Sequence, residues 1–239
     1  MRISTSVLLR AAVLAVFLTT AAAAVHAAPG PLPPPADVNI FFTPPYLITT
    51  PQPPFTLRAV FRRLAHAETG QRAFTETRKF AISKNPVRAI GTLRYGRSIG
   101  LSIAYDGAAG RVLVIDDQGL IERGAGGHER SVSVNDRPEL AALTDVYLNL
   151  LRGNSAKLFA ASNAYYAGER GTGWQLGLVA KDESIARRIG RAVVYGRGRD
   201  ITRIDTISPS GETRSLALGP LMNNVRFTPE EMKTYFRGE

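Results

Sequence analysis

The sequence predicts an α+β fold: one curled antiparallel sheet of about eleven strands, an open, incomplete β-barrel, covered by helices as a lid. Three observations carry this. Strand-like segments recur at roughly 8–12-residue intervals, separated by turn formers. Helical patterns come before that run, in its middle and after it, not between each strand and the next, so the crossover helices of a parallel sheet have no room. A sheet this long tends to curl, and its concave side offers the apolar helix stripes a place to bury.

Residues 1–27 read as a signal peptide. Arg2 and Arg10 give a basic start, Ala11 to Val25 an apolar run, and Val25-His26-Ala27 the small residues at −3 and −1 of a cleavage site. The run is short for a membrane span of about 20 residues. The expectation is an exported, soluble, periplasmic protein. There is no cysteine, which excludes a disulfide scaffold, a thiolate metal site, a cysteine nucleophile and lipid anchoring through an N-terminal cysteine.

Residues 28–54 hold ten of the fifteen prolines and read as an extension or linker, because proline blocks helix and sheet interior alike. Ile40-Phe41-Phe42 and Tyr46-Leu47-Ile48 interrupt it with apolar patches that a pure spacer does not need. These patches are expected to pack on the folded domain or fill its groove. Residues 55–239 form the domain, long enough for one hydrophobic core.

That domain opens with a helix. Leu57, Val60, Phe61 and Leu64 recur at i, i+3, i+4, i+7. Thr56 is the expected cap, Phe55 and Val60 have the spacing of a hydrophobic staple, Arg58, Arg62 and Arg63 cover the opposite side, and Gly70 is the expected stop. Strands follow at Phe74 to Ile82, Val87 to Tyr95, Ile99 to Tyr105, Arg111 to Asp116, Leu120 to Arg123 and Glu129 to Val134.

Asp136 with Glu139 resembles a capping pair for a second helix with the stripe Leu140, Leu143, Tyr147, Leu150 and Leu151. Gly153-Asn154 breaks it, and Leu158-Phe159 continue in a shorter helix. Strands resume at Ala164 to Gly168, Trp174 to Ala180, Ala192 to Gly196, Ile201 to Ser208 and Thr213 to Leu218, with a helical turn or two over Asp182 to Ile189. Thr228-Pro229-Glu230-Glu231 combines an N-cap, proline at N1 and glutamate at N3, and Met232, Tyr235 and Phe236 give this last helix something to bury.

The catalytic inventory is thin. His66 and His128 lack metal-ligand spacing, so neither metal nor cofactor is expected. Asp116-Asp117, Asp182-Glu183 and Glu230-Glu231 are adjacent pairs, which on a strand point to opposite faces rather than across a substrate. The glycines of 168–173 and 196–198 have strands on both sides and read as hairpin turns, not phosphate loops. No enzyme is predicted. Removing Arg2 and Arg10 with the leader lowers the formal charge from +10 to +8. A basic surface favours anionic partners, although arginines alternating along strands can simply solvate the outer face. An exported chain without a Lys/Arg run longer than two is not expected to bind nucleic acid.

What remains is apolar surface. Positions such as Leu57, Phe61, Leu64, Leu143, Tyr147, Leu150, Trp174, Leu176 and Leu178 describe either an ordinary core or a cavity, and periodicity does not separate the two.

The order of elements resembles the family of periplasmic lipoprotein carriers typified by LolA. The resemblance runs through Phe74-Thr75-Glu76-Thr77-Arg78, Gly91-Thr92-Leu93-Arg94-Tyr95, Val114-Ile115-Asp116-Asp117-Gln118-Gly119-Leu120, Leu150-Leu151-Arg152-Gly153-Asn154 and the C-terminal Thr-Pro-Glu-Glu. It implies a cavity between sheet and lid that shelters acyl chains of lipoprotein or lipid cargo, with Ile103 joining the nine residues above as cavity-lining candidates. It also implies an inner-membrane donor complex and an outer-membrane acceptor; a monomer is expected. The family's arginine–aromatic pair on the third strand has no counterpart in Ile99-Gly100-Leu101-Ser102-Ile103-Ala104-Tyr105; Arg97 lies beside it, in the turn. The chain therefore resembles a divergent relative. The other reading is a periplasmic binding or adaptor module that uses a basic face on anionic envelope polymers or a membrane-complex partner.

Overall fold

The computed structural model describes residues 38–49, 54–83, 85–107, 110–124, 127–168 and 173–237. The predicted signal peptide and parts of the proline-rich stretch lie outside them. The described helices are α1 (Val38–Phe41), α2 (Phe55–His66), α3 (Pro138–Leu151), α4 (Ser155–Ala161), α5 (Glu183–Ile189) and α6 (Pro229–Tyr235). The strands are β1 (Thr69–Lys79), β2 (Val87–Gly96), β3 (Gly100–Tyr105), β4 (Val112–Asp116), β5 (Gly119–Arg123), β6 (Glu129–Ser133), β7 (Ser162–Gly168), β8 (Gly173–Ala180), β9 (Arg191–Arg197), β10 (Asp200–Ile207) and β11 (Thr213–Asn223). Each falls where turn formers bound an expected strand.

All eleven form one sheet in the order β6-β5-β4-β3-β2-β1-β11-β10-β9-β8-β7. Every pairing is antiparallel, and the sheet stays open between β6 and β7. Two meanders thus meet at β1 and β11, and the chain passes from one edge to the other through α3 and α4. Alternation sends Phe74, Leu93, Tyr95, Leu101, Ile103, Leu113, Ile115, Trp174, Leu176, Leu178, Val194 and Leu216 to the concave face. There they join α2, α3 and α4 in one core through Leu57, Phe61, Leu64, Tyr147, Leu150 and Leu158.

Local chemistry moves several boundaries. α2 starts at Phe55 with Pro54 at the N-cap, so Thr56 caps nothing. Phe55 stays 67% exposed and forms no staple over the buried Val60. α2 ends at His66 rather than at Gly70, which pairs within β1. The Ala67 N–H reaches the Leu64 carbonyl, and the last carbonyls find an arginine described below, so no glycine cap is needed. β1 accordingly runs over 69–79 rather than 74–82.

Arg137, not Asp136, takes the N-cap of α3, and Asp136 ends the preceding 3-10 turn. Pro138 takes the first position of α3 and holds Arg137 extended at the N-cap; Ser133 instead caps a short 3-10 turn at Val134–Asp136. α6 has the capping box its sequence announces, with Thr228 and Glu231 bonding reciprocally.

The convex face is also covered. α6 lies there and not on the concave side: Arg94, which points away from its core neighbours Leu93 and Tyr95, stacks 3.6 Å from the Tyr235 ring. Phe236 is fully buried, and Arg123 donates to the Thr234 and Phe236 carbonyls at 3.0 and 2.8 Å.

On the other half of the sheet, Phe41 is buried against Val193 and Tyr195, with Phe42 and Tyr46 alongside. Gly177 makes the room, since a Cβ there would lie 2.8 Å from both phenylalanine rings. Leu47 then bridges Tyr165 on the edge strand β7, the Ile48 N–H donates to the Ala164 carbonyl at 2.8 Å, and the Ile48 side chain joins the main core. The strap formed by residues 41–48 therefore wraps one open edge. No helix among the described residues is long and apolar enough to cross a membrane.

Candidate functional site

The candidate site has two parts on the concave face, an apolar interior and, beside it, a charged cavity referred to below as the mouth. α2 contributes Leu57, Phe61 and Leu64 to the interior, α3 Tyr147 and Leu150, β3 Ile103, and β8 Trp174, Leu176 and Leu178. These nine predicted residues meet in one continuous cluster. Leu143 lies in α3, but its side chain is outside the described ones. The Tyr147 phenol is driven well above its ordinary value by burial, with Arg214 pulling the other way; it is a neutral group at any physiological pH. Trp174 satisfies its indole N–H on the Gly198 carbonyl at 2.9 Å, which leaves its rings to the apolar packing.

Polar contacts pin the lid at one end. Gly153, at φ +67° in the α3–α4 turn, approaches the α2 backbone so closely that a Cβ would lie 2.2 Å from the Phe61 carbonyl oxygen. Arg97, from the β2–β3 turn, donates to the carbonyls of Leu64 and Ala67 at 3.0 and 3.2 Å and also to that of Ala65. A guanidinium is well placed there, at the negative end of the helix dipole. Arg152, the C-cap of α3, holds Asp117 with both guanidinium nitrogens at 2.8 and 2.5 Å. That bond holds the Asp117 carboxyl below its usual range. Asp116 is occupied structurally as well, accepting from the Gln118 and Gly119 N–H groups of the turn and from Arg237 at 2.6 Å.

At the other part, a cavity of about 660 Å³ opens between Glu76, Arg78, Phe80, Val87, Ala89, Tyr105 and Arg111. Its floor is ionic. Arg78 stands opposite Arg214 in the β1–β11 register, and Glu76 is diagonal to it on the same face. Glu76 is completely buried, Arg214 nearly so. The carboxylate accepts from Arg214, with one contact at 3.1 Å, and from Arg78; both arginines also reach the Tyr105 hydroxyl. Burial works to raise the Glu76 carboxyl, but Arg214 and Arg78 outweigh it and hold the group below the usual glutamate range. Burial pushes the Tyr105 phenol up.

Arg214 in this cluster, and Arg72 bonded to the Gly219 carbonyl elsewhere on β1, depart from the expectation that the strand arginines simply solvate the outer face, since both are buried. The cluster's only trace in the sequence is alternation, which puts Glu76 and Arg78 on the same face as Phe74.

Residues 52–233 match the family described as outer membrane lipoprotein carrier protein LolA-like. No curated protein matches the sequence significantly. Among solved structures, a DUF1329 family protein from Desulfovibrio piger is similar at 9% identity and a TM-score of 0.42, over 72% of this chain and 92% of that one. A LolA superfamily protein from Nitrosomonas europaea is similar at 9% identity and 0.39, over 75% and 97%. The open eleven-stranded sheet under a helical lid and the family match over most of the chain agree: this protein belongs to the outer membrane lipoprotein carrier LolA-like family.

Proposed function

We propose that this protein is a periplasmic carrier. It holds acyl chains of a lipoprotein or lipid beneath α2, α3 and α4 while they pass between an inner-membrane donor and an outer-membrane acceptor. In this reading residues 1–27 are a leader removed on export, 28–54 an extension, and 55–239 a monomeric carrier domain that does no chemistry on its cargo.

One observation carries the reading most directly: a continuous apolar interior whose cover of helices meets the sheet through side chains. About a dozen buried methylenes give a gross drive out of water of about 10 kcal/mol. A carrier must hold the cargo against that drive and still release it. In the closed structure the cavity-lining candidates pack on one another, so their apolar contacts compete with the cargo for the same surface. Alkyl chains and leucine side chains make interchangeable dispersion contacts, and exchanging one for the other keeps the net cost of loading and release small. The mouth adds arginines beside an apolar wall, which suits the polar end of an acylated molecule.

The test is direct. Purified protein is mixed with a fluorescent fatty-acyl probe, and protein isolated from its native envelope is examined by native mass spectrometry for bound lipid. Uptake of the probe, or co-purified lipid, supports the reading. Failure of both overturns it.

A further inference from the structure

The outer side of the lid carries a feature that cargo binding does not use. A groove of about 520 Å³ runs between α2 and the ends of β9, β10 and β11. Its lining includes Arg58, Arg62 and Arg63 on α2, Arg199 in the β9–β10 turn, and Asn223 with Asn224 at the end of β11. No carboxylate lines it among the described residues; Asp200 sits at its edge, bound to Arg63 at 3.3 Å. Phe55, exposed at the start of α2, completes one wall, with Arg58 over its ring. Cationic side chains beside an exposed aromatic on one helix face are the chemistry of a helix lying on a membrane surface.

We propose that this groove docks on anionic phospholipid headgroups, so that the lid itself is the part of the protein that touches the membrane. The inference deepens the carrier reading and rests on it for its purpose. α2 presents arginines and Phe55 outward, and Leu57, Phe61 and Leu64 inward to the interior. A membrane that binds the outer face therefore acts on the same helix that closes the inner one. Headgroup phosphates can accept from guanidinium and amide donors together, and the groove presents both.

The experiment is flotation of purified protein with two kinds of vesicle: equal parts phosphatidylglycerol and phosphatidylcholine, and phosphatidylcholine alone. Wild type is expected on the anionic vesicles only, and less so as salt is raised. Each cation near an anionic surface is worth roughly fivefold in partitioning, so Arg62→Gln with Arg199→Gln is expected to weaken binding by roughly 25-fold. The same double variant is expected to take up the acyl probe in solution as wild type does, because neither side chain belongs to the interior.

Absence of binding to anionic vesicles, or equal binding by the double variant, overturns the proposal. So does a thermal shift of wild type by inorganic phosphate that the variant lacks while vesicles go unbound, which would mark a free-phosphate site. Arginine-dependent vesicle binding without probe uptake leaves the docking site standing and removes the carrier reading, so the two failures are told apart.

Discussion

Under α2 and α3 the concave face of the sheet meets the helices through Leu57, Phe61, Leu64, Tyr147 and Leu150. Further along the same face, Glu76, Arg78, Arg214 and Tyr105 are tied by directed, charge-assisted bonds. The contrast separates two jobs. Apolar contacts are non-directional, so the helices can part from the sheet and re-form against another greasy surface at modest net cost. Buried charges tolerate no such exchange, because each must keep its partner. The ion cluster joins β1 to β11, the seam between the two meanders, and it fixes the sheet there; in the proposed carrier the apolar lid is the part that repacks.

The largest expected effect breaks the rigid side. Glu76→Ala leaves Arg214 buried with no carboxylate, which costs about 3–5 kcal/mol, read as a lower midpoint in urea unfolding. The double variant Glu76→Met with Arg214→Met removes both charges and is expected to recover most of that loss. A double variant as unstable as the single one would mean that packing at the seam, not pairing, sets the stability.

Next comes the adaptable side. Leu150→Ala removes a core side chain and is expected to cost about 3 kcal/mol, but with a functional signature opposite to that of Glu76→Ala. If about 1 kcal/mol of the loss falls on closed-lid packing alone, opening becomes easier and acyl-probe affinity rises roughly fivefold. Weaker probe binding would show that Leu150 grips cargo more than it grips the empty lid.

How far these two regions were legible beforehand differs for a physical reason. The interior was announced by periodicity: Leu57, Phe61 and Leu64 at helical spacing, and Trp174, Leu176 and Leu178 at strand spacing, each reveal a buried face without reference to any partner. The ion cluster was not. Glu76 and Arg214 are 138 residues apart, and nothing local says that β1 and β11 will be neighbours. The packing of the proline-rich segment on the domain was expected, but the face that receives it was not legible. Phe41, Phe42 and Tyr46 were visible as an apolar interruption among prolines, but Gly177, which gives their rings room, reads locally as an ordinary glycine. The expected caps failed where a proline intervened: Pro138 takes the first helical position and sets Arg137 as the N-cap, and Pro54 itself occupies the N-cap ahead of Thr56.

Acid sharpens the contrast further. Glu76 is held below its ordinary value near 4.5 in the folded protein. Its contribution is thus fully present above that value and is lost as pH falls through the lower folded value. Wild type is expected to lose stability in that acid window, and Glu76→Gln, already without the charge, to show a flatter acid limb. Identical limbs would place the acid sensitivity in other carboxylates.

The smallest effect on stability tests the lid's pinned end. Asp117 is 64% exposed, so its pair with Arg152 contributes less than about 1 kcal/mol, and Asp117→Asn should barely move the unfolding midpoint. Kinetics are another matter. Arg152 closes α3 at the turn where Gly153 rests on the α2 backbone, and its Nε also donates to the Arg97 carbonyl at 3.4 Å. Loosening this junction frees both lid helices at once while leaving the interior untouched. Stopped-flow measurement of acyl-probe uptake is therefore expected to show faster entrance at nearly unchanged equilibrium stability. An unchanged rate would place the opening motion at the mouth end, and would make the ionic seam, rather than the apolar lid, the gate.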